Sequence, residues 1–146
     1  MSDIVKAIMS RHVQIIRPES PLRDALKKMV RGNIGSVVVT EAEKAIGIIT
    51  ERDILRSVAR GTRTLGTPAG KTMSSPLVSI PSDTPNQEAV KIMLKHGIRR
   101  LPVVDRGKLV GIVTQRDLFK WVLQVSYEPN PPPEVREILA LPLSRL

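Results

Sequence analysis

The chain contains no cysteine. That excludes disulfides, thiolate metal sites and cysteine nucleophiles. Histidine is scarce, with only His12 and His96, so no histidine-rich metal centre is expected and the expected metal-ligand set is empty. Aromatic side chains are nearly missing: Phe119, Trp121 and Tyr127 are the whole set. A protein that grips single-stranded nucleic acid by base stacking needs more aromatic faces than this. No apolar run approaches the roughly 20 residues that span a bilayer. Met1-Ser2-Asp3 lacks the basic-then-apolar order of a secretory leader, so a cytoplasmic location with no membrane partner is expected. Acidic residues are in deficit, with 14 Asp and Glu against 23 Lys and Arg, a net charge of +9. Such an excess favours anionic partners, whether nucleotides, nucleic acid or acidic surfaces, without choosing among them.

What the chain does have is a repeat. Gly47-Ile48-Ile49-Thr50-Glu51-Arg52-Asp53 returns 64 residues later as Gly111-Ile112-Val113-Thr114-Gln115-Arg116-Asp117. From Pro21 to Leu55 a constant shift of 64 gives identity at 12 of 35 positions, and many other pairs are conservative, such as Asp24/Glu88 and Glu41/Asp105. A duplicated unit implies pseudo-symmetry, with equivalent clefts expected where the copies meet.

Each copy spells the same order of elements. Ser20-Pro21 reads as an N-cap followed by proline at the first helical position, and Leu22, Ala25, Leu26 and Met29 recur at helical spacing. Gly32-Asn33 ends that helix; strands are expected over 34–40 and 45–50, then a helix from Glu51 to about Arg60. In the second copy Thr84-Pro85-Asn86-Gln87 reads as a capping box, and the stripe of Ala89, Val90, Met93 and Leu94 ends at His96-Gly97. Strands over 100–104 and 108–114 flank a tight Asp105-Arg106-Gly107 turn, and a last helix runs from Gln115 to about Val125. Short extended segments over 13–17 and 77–80 precede the two units. Residues 61–70, rich in Gly and Thr and flanked by Arg56, Arg60, Arg63 and Lys71, read as a linker. Residues 127–146 read as a proline-rich spacer and a short helix carrying Val135, Ile138 and Leu139.

The repeated Thr-x-x-Asp has two readings. Thr50 and Thr114 are placed to cap the helices that follow, with Asp53 and Asp117 three residues on as the reciprocal acids. The same residues stand at the carboxyl end of a strand, where free helix N–H groups favour an anion. A carboxylate there can accept ribose hydroxyls while the threonine hydroxyl and backbone N–H groups hold phosphate.

These residues resemble a known family. Ile98-Arg99-Arg100-Leu101-Pro102-Val103-Val104-Asp105 with Gly111 to Asp117, and Ile34-Gly35-Ser36-Val37-Val38-Val39 with Gly47 to Asp53, are similar to tandem CBS domains, the cystathionine β-synthase-type repeats that pair into a Bateman module. Lys71-Thr72-Met73-Ser74, echoed by Ala7-Ile8-Met9-Ser10, resembles the lead-in to each such domain. The resemblance covers about residues 5 to 125. It implies an α+β fold of two β-α-β-β-α repeats packed sheet to sheet with pseudo-two-fold symmetry. The repeats would occupy 1–60 and 71–126.

The resemblance also implies an adenosyl ligand, AMP, ADP or ATP, and no cofactor beyond it. Asp117 and Asp53 would hold ribose hydroxyls, and Thr114 and Thr50 would contact phosphate or ribose. The base would lie in an apolar slot near the first strand, which assigns Ile15, Val78, Ile98 and Pro102 to the nucleotide site. The copies differ at the lead-in to the strand, Ile98-Arg99-Arg100 against Ile34-Gly35-Ser36. Arginine suits a bidentate phosphate contact, so the Thr114/Asp117 cleft is expected to bind phosphate better, with Arg99 or Arg100 as clamp and Arg116 within reach. The expected function is a non-catalytic nucleotide sensor acting in trans, as a homodimer with an output protein. Binding of S-adenosylmethionine or methylthioadenosine is one alternative, and nucleic-acid binding, prompted by the charge, is another.

Overall fold

The protein, seen in a computed structural model, is described over residues 3–126 and at residue 133. The spacer and helix expected over 127–146 lie outside the described residues, apart from residue 133. The chain divides into two compact units. One holds His12–Val78 with Arg106–Leu109. The other holds Met1–Arg11, Ser79–Asp105 and the chain from Val110.

The first repeat has the expected β-α-β-β-α order: β1 (Ile15–Ile16), α1 (Leu22–Gly32), β2 (Ser36–Glu41), β3 (Lys44–Thr50) and α2 (Glu51–Ala59). β1 runs parallel to β2, with Ile15 opposite Val38, and β2 runs antiparallel to β3, with Ser36 opposite Thr50. Val37, Val38 and Val39 are all fully buried, which explains an unbroken β-branched run in place of alternation. Leu22, Ala25 and Met29 of α1 join Val37, Val39 and Ile49 in the core of this unit. A 3₁₀ helix (Thr62–Gly66) and α3 (Ala69–Thr72) follow.

The second repeat supplies α4 (Asn86–His96), β4 (Arg100–Asp105), β5 (Lys108–Thr114) and α5 (Gln115–Ser126), with β4 and β5 forming a two-stranded sheet. Mixed α+β architecture in tandem copies is what the repeat predicted. Helix ends follow local chemistry. Asn33 and Gly97, 64 residues apart, both take left-handed backbone as C-caps, and the amides of Ile34 and Ile98 close each end on the carbonyls of Met29 and Met93. The hairpin turns also match, with positive φ at Ala42 and Glu43 and at Arg106 and Gly107.

Four local expectations change. The segment over 77–80 is not a strand; it makes one parallel bridge, Ile80 to Val103. Ser20 and Thr84 are not the N-caps, because Pro21 and Pro85 occupy that position. The Thr84 hydroxyl donates instead to the Pro81 carbonyl at 2.6 Å, so the expected capping box is not made. Residues 61–70 are no bare connector: Ala69 is fully buried, and Leu65 packs against the core.

The fourth change concerns the lead-ins. Residues 67–74 strap the first repeat. Leu22 N–H donates to Thr67 O, Ala69 N–H to Ser20 O, and Gly70 N–H to Pro18 O. Residues 3–10 strap the second repeat through the matching bonds: Asn86 N–H to Asp3 O, Val5 N–H to Thr84 O, and Lys6 N–H to Ser82 O. Ser74 then bridges Ile48 of β3, and Ser10 bridges Ile112 of β5. Each lead-in thus completes the repeat it does not precede.

Among the described residues, Asn86 is the one whose buried side-chain polar atoms are left without a partner by this packing. It is fully buried at the start of α4, and neither its Oδ1 nor its Nδ2 has a hydrogen-bond partner. Leu22, its counterpart in the first repeat, is also fully buried. Leucine has the same branched shape with methyls in place of the orphaned polar atoms. Asn86→Leu is therefore expected to stabilise the protein by about 1–3 kcal/mol, read as a rise in the urea midpoint with unchanged slope. A fall would show that the site is matched to the amide.

Candidate functional site

The two Thr-x-x-Asp motifs sit where β3 passes into α2 and where β5 passes into α5. Thr50 has extended backbone, φ −114° and ψ 170°, so the chain enters the helix with its hydroxyl facing the first turn. The box is reciprocal: the Thr50 hydroxyl accepts the Asp53 amide, and Asp53 Oδ2 accepts the Thr50 amide at 2.8 Å. The Thr50 hydroxyl donates back to the same oxygen at 3.1 Å. Asp53 Oδ1 is also engaged, by the Ser74 hydroxyl at 3.2 Å. With only 8% of its surface exposed, Asp53 is spent on the fold.

The second motif repeats the cap and omits the last bond. Asp117 Oδ2 accepts the Thr114 amide at 2.8 Å and the Thr114 hydroxyl at 2.9 Å, and the Asp117 amide donates to that hydroxyl at 3.2 Å. No other hydrogen bond reaches Asp117 among the described residues, so Oδ1 is left over, and the side chain is half-buried. Capping therefore accounts for Thr and Asp in both copies. Only in the second does the carboxylate keep an acceptor to spare.

The strand lead-ins lie beside these caps. The Gly35 carbonyl accepts the Glu51 amide at 3.2 Å, and the Arg99 carbonyl accepts the Gln115 amide at 2.8 Å. Position 35 brings no side chain to the helix start, whereas Arg99 brings an exposed guanidinium. Arg100 opens β4 and is half-buried; Arg116 is exposed on the first turn of α5. Thr114, Asp117, Arg99, Arg100, Ile98, Arg116 and Pro102 all belong to one compact unit, and Thr50, Asp53, Ile15 and Val78 to the other.

The apolar residues assigned from sequence fare unevenly. Ile15 is 47% exposed on β1, and Ile98 and Val78 are half-buried. Pro102 is fully buried within β4, and its carbonyl already accepts the Ile80 amide at 3.1 Å, so its ring offers no surface to a ligand. His96 behaves as a helix-end residue, its Nδ1 3.1 Å from the Ile92 carbonyl. Ser74 is the partner of the first motif that sequence reading missed. The Met-Ser echo between 9–10 and 73–74 marked the position but not its bond to Asp53. Among the described residues no group of three or more His, Asp and Glu could hold a metal, and no helix is long and apolar enough to cross a membrane.

Comparison with known proteins follows the same division into two copies. A family model of the CBS domain matches residues 5–60 and again 69–124. The chain is 39% identical over 115 residues to the CBS domain-containing protein YhcV of Bacillus subtilis, covering 78% of this chain and 81% of that one. It is 45% identical over 107 residues to an uncharacterized protein of Methanopyrus kandleri, covering 69% of this chain and about half, 55%, of that longer relative. Among solved structures, CBSX2 in complex with AMP superposes with a TM-score of 0.74 at 25% identity, over 84% of this chain and 98% of that one. The CBS domain pair of protein MJ0100, in complex with 5′-methylthioadenosine and S-adenosyl-L-methionine, gives a TM-score of 0.76 at 26% identity, over 83% and 96%.

Proposed function

Because the chain belongs to the CBS-domain family and carries two copies in tandem, we propose that it is a non-catalytic regulatory module that binds an adenosine nucleotide, AMP, ADP or ATP. Signalling in trans, through a homodimer and an output protein, belongs to the same reading. The observation that carries it is the spare oxygen of Asp117. Oδ2 locks the cap, and Oδ1 remains to accept a ribose hydroxyl. Arg99, anchored by its carbonyl to the first residue of α5, supplies the phosphate contact. Relatives of known structure bound to AMP or to methylthioadenosine and S-adenosylmethionine support an adenosyl ligand. The exposed arginine favours the phosphorylated members of that class.

The two copies are not equal in this reading. A hydrogen bond to a charged group contributes about 1.5–3 kcal/mol, or about 10–100-fold in affinity. Asp117→Ala should therefore weaken AMP binding by at least about tenfold, measured by titration calorimetry. Asp53→Ala should weaken it far less, because both Asp53 oxygens are committed to Thr50 and Ser74. Both variants lose a helix cap and about 1 kcal/mol of stability, which thermal melts of the same samples will register. Equal loss in the two, or loss in Asp53→Ala alone, contradicts the asymmetry. Tighter binding of methylthioadenosine or S-adenosylmethionine than of any nucleotide contradicts the ligand class.

A further inference from the structure

Ser74 is seated beside β3 by its backbone. Its amide donates to the Ile48 carbonyl at 2.9 Å, and its carbonyl accepts the Ile48 amide at 3.3 Å. Residues opposed across such a bridge share a face of the sheet, as do residues two apart on one strand. Ser74 therefore stands on the face of β3 that carries Ile48 and Thr50, while Ile49 enters the core on the other. From there its hydroxyl donates to Asp53 Oδ1 at 3.2 Å. The Thr50 amide and hydroxyl already hold Oδ2. Asp53 is buried, Thr50 is half-buried, and Ser74 is exposed. Of the side chains bonded to this carboxylate, Ser74 is thus the one whose removal would open it to solvent.

Ser10 takes the matching place in the second repeat. Its amide and its carbonyl both pair with Ile112 at 2.9 Å, yet it makes no hydrogen bond to Asp117. The two straps are alike in backbone and differ in what the serine side chain does.

We infer that the Ser74 hydroxyl is an internal occupant of the first Thr-x-x-Asp site, standing where a ribose hydroxyl would stand, so that each chain binds one nucleotide, at Asp117, and keeps a masked ribose acceptor at Asp53. The inference rests on the ribose role proposed above for Asp117. An alcohol donating to Asp53 Oδ1 is the same chemistry as a ribose hydroxyl donating to Asp117 Oδ1. The tethered alcohol has the advantage, because a free ligand gives up translational and rotational freedom to make the same bond. The masked site also has its own ligand preference. Position 35 is glycine where the second repeat has Arg99, and position 36 is a buried serine where it has Arg100. Arg52 and Arg116 match and cancel in the comparison. Without the lead-in arginines, the unmasked site takes the ribose of adenosine as readily as that of AMP, whereas the Asp117 site favours AMP.

Titration calorimetry on the whole chain, with AMP and with adenosine, tests this. The parent should bind one AMP per chain. Ser74→Ala should bind two, the first site tightening by about tenfold or more once its competitor is gone. The added site should hold adenosine as well as AMP. Ser74→Thr keeps the hydroxyl and should bind one. Ser74→Ala combined with Asp53→Ala should return to one, and thermal melts check that each variant is folded. A single site in folded Ser74→Ala overturns the inference and leaves the Asp117 reading standing. So does an added site that persists when Asp53 is also alanine. Two sites in the parent overturn the inference together with the inequality of the two copies, and they do so without any variant. Binding in Ser74→Ala with none in the parent upholds the mask and overturns the Asp117 reading instead. No binding in either overturns both.

Discussion

Trp121→Ala is expected to remove about 3–5 kcal/mol of folding stability. Trp121 is 4% exposed and stands on one face of α5 with Leu118 and Val125, both 3% exposed. It is the only tryptophan of the chain. Its indole N–H donates to Asp3 Oδ1 at 3.2 Å, and the Asp3 carbonyl accepts the Asn86 amide at 2.8 Å. The ring thus fills the core and also holds the N-terminal strap against the start of α4. Alanine leaves a cavity and releases the strap together. Two further variants separate these effects. Asp3→Ala removes the hydrogen bond alone and should cost about 0.5–1.5 kcal/mol. Trp121→Phe keeps most of the buried ring and should recover most of what alanine loses. Urea unfolding followed by far-UV circular dichroism measures all three, since fluorescence disappears with the indole. A loss below about 1 kcal/mol in Trp121→Ala would place the indole outside any well-packed core.

Gly111→Ala should be the second most damaging change, and it should cost more than the same change at Gly47. In a strand interior alanine is ordinarily the better residue, because glycine loses more backbone entropy on folding. Close approach reverses the sign here. A Cβ at Gly111 would lie 2.6 Å from Met9 Sδ and 2.8 Å from the Ser10 carbonyl oxygen. That carbonyl cannot retreat freely: it accepts the Ile112 amide at 2.9 Å, and the Ser10 amide donates to the Ile112 carbonyl at 2.9 Å. Making room means breaking the bridge that seats the lead-in on β5. A cost of about 2–3 kcal/mol is expected. The three atoms nearest to a Cβ at Gly47 all belong to the Met73 side chain: its Sδ, its Cγ at 2.8 Å and its Cβ at 3.1 Å. Methionine is flexible enough to move aside, so the cost should be nearer 1 kcal/mol. Adding Met73→Ala should relieve Gly47→Ala, whereas adding Met9→Ala should leave most of the Gly111→Ala loss in place. Equal costs at the two glycines would mean that the Ser10 carbonyl gives way more easily than its two hydrogen bonds allow.

Much of the fold is written locally. Leu22, Ala25 and Met29 bury as their spacing predicts, because a helix places them on one face. The C-caps at Asn33 and Gly97 and the turn at Arg106-Gly107 follow from residues that tolerate left-handed backbone. Glu43, which takes the place of Gly107 in the first hairpin, adopts a φ of 67° with no such help, so the turn there is imposed by the pairing of β2 with β3. The misread segments share a cause. Residues 61–70 looked like a linker because Gly and Thr favour loops, but backbone bonds to 18, 20 and 22 pin their far end. The proline at 85 took the cap position from Thr84, whose hydroxyl found the nearer Pro81 carbonyl.

The sequence by itself determined the duplication, the order of elements in each copy, the two Thr-x-x-Asp caps and the excess of positive charge. All of these depend on side-chain type at short spacing, which a sequence states directly. Tertiary structure alone decided which lead-in straps which repeat, because those bonds join backbone amides and carbonyls that every residue carries alike. It also decided the difference between two identical motifs. Asp53 and Asp117 cap their helices in the same way, but Ser74 takes the remaining oxygen of the first and leaves that of the second to accept another partner.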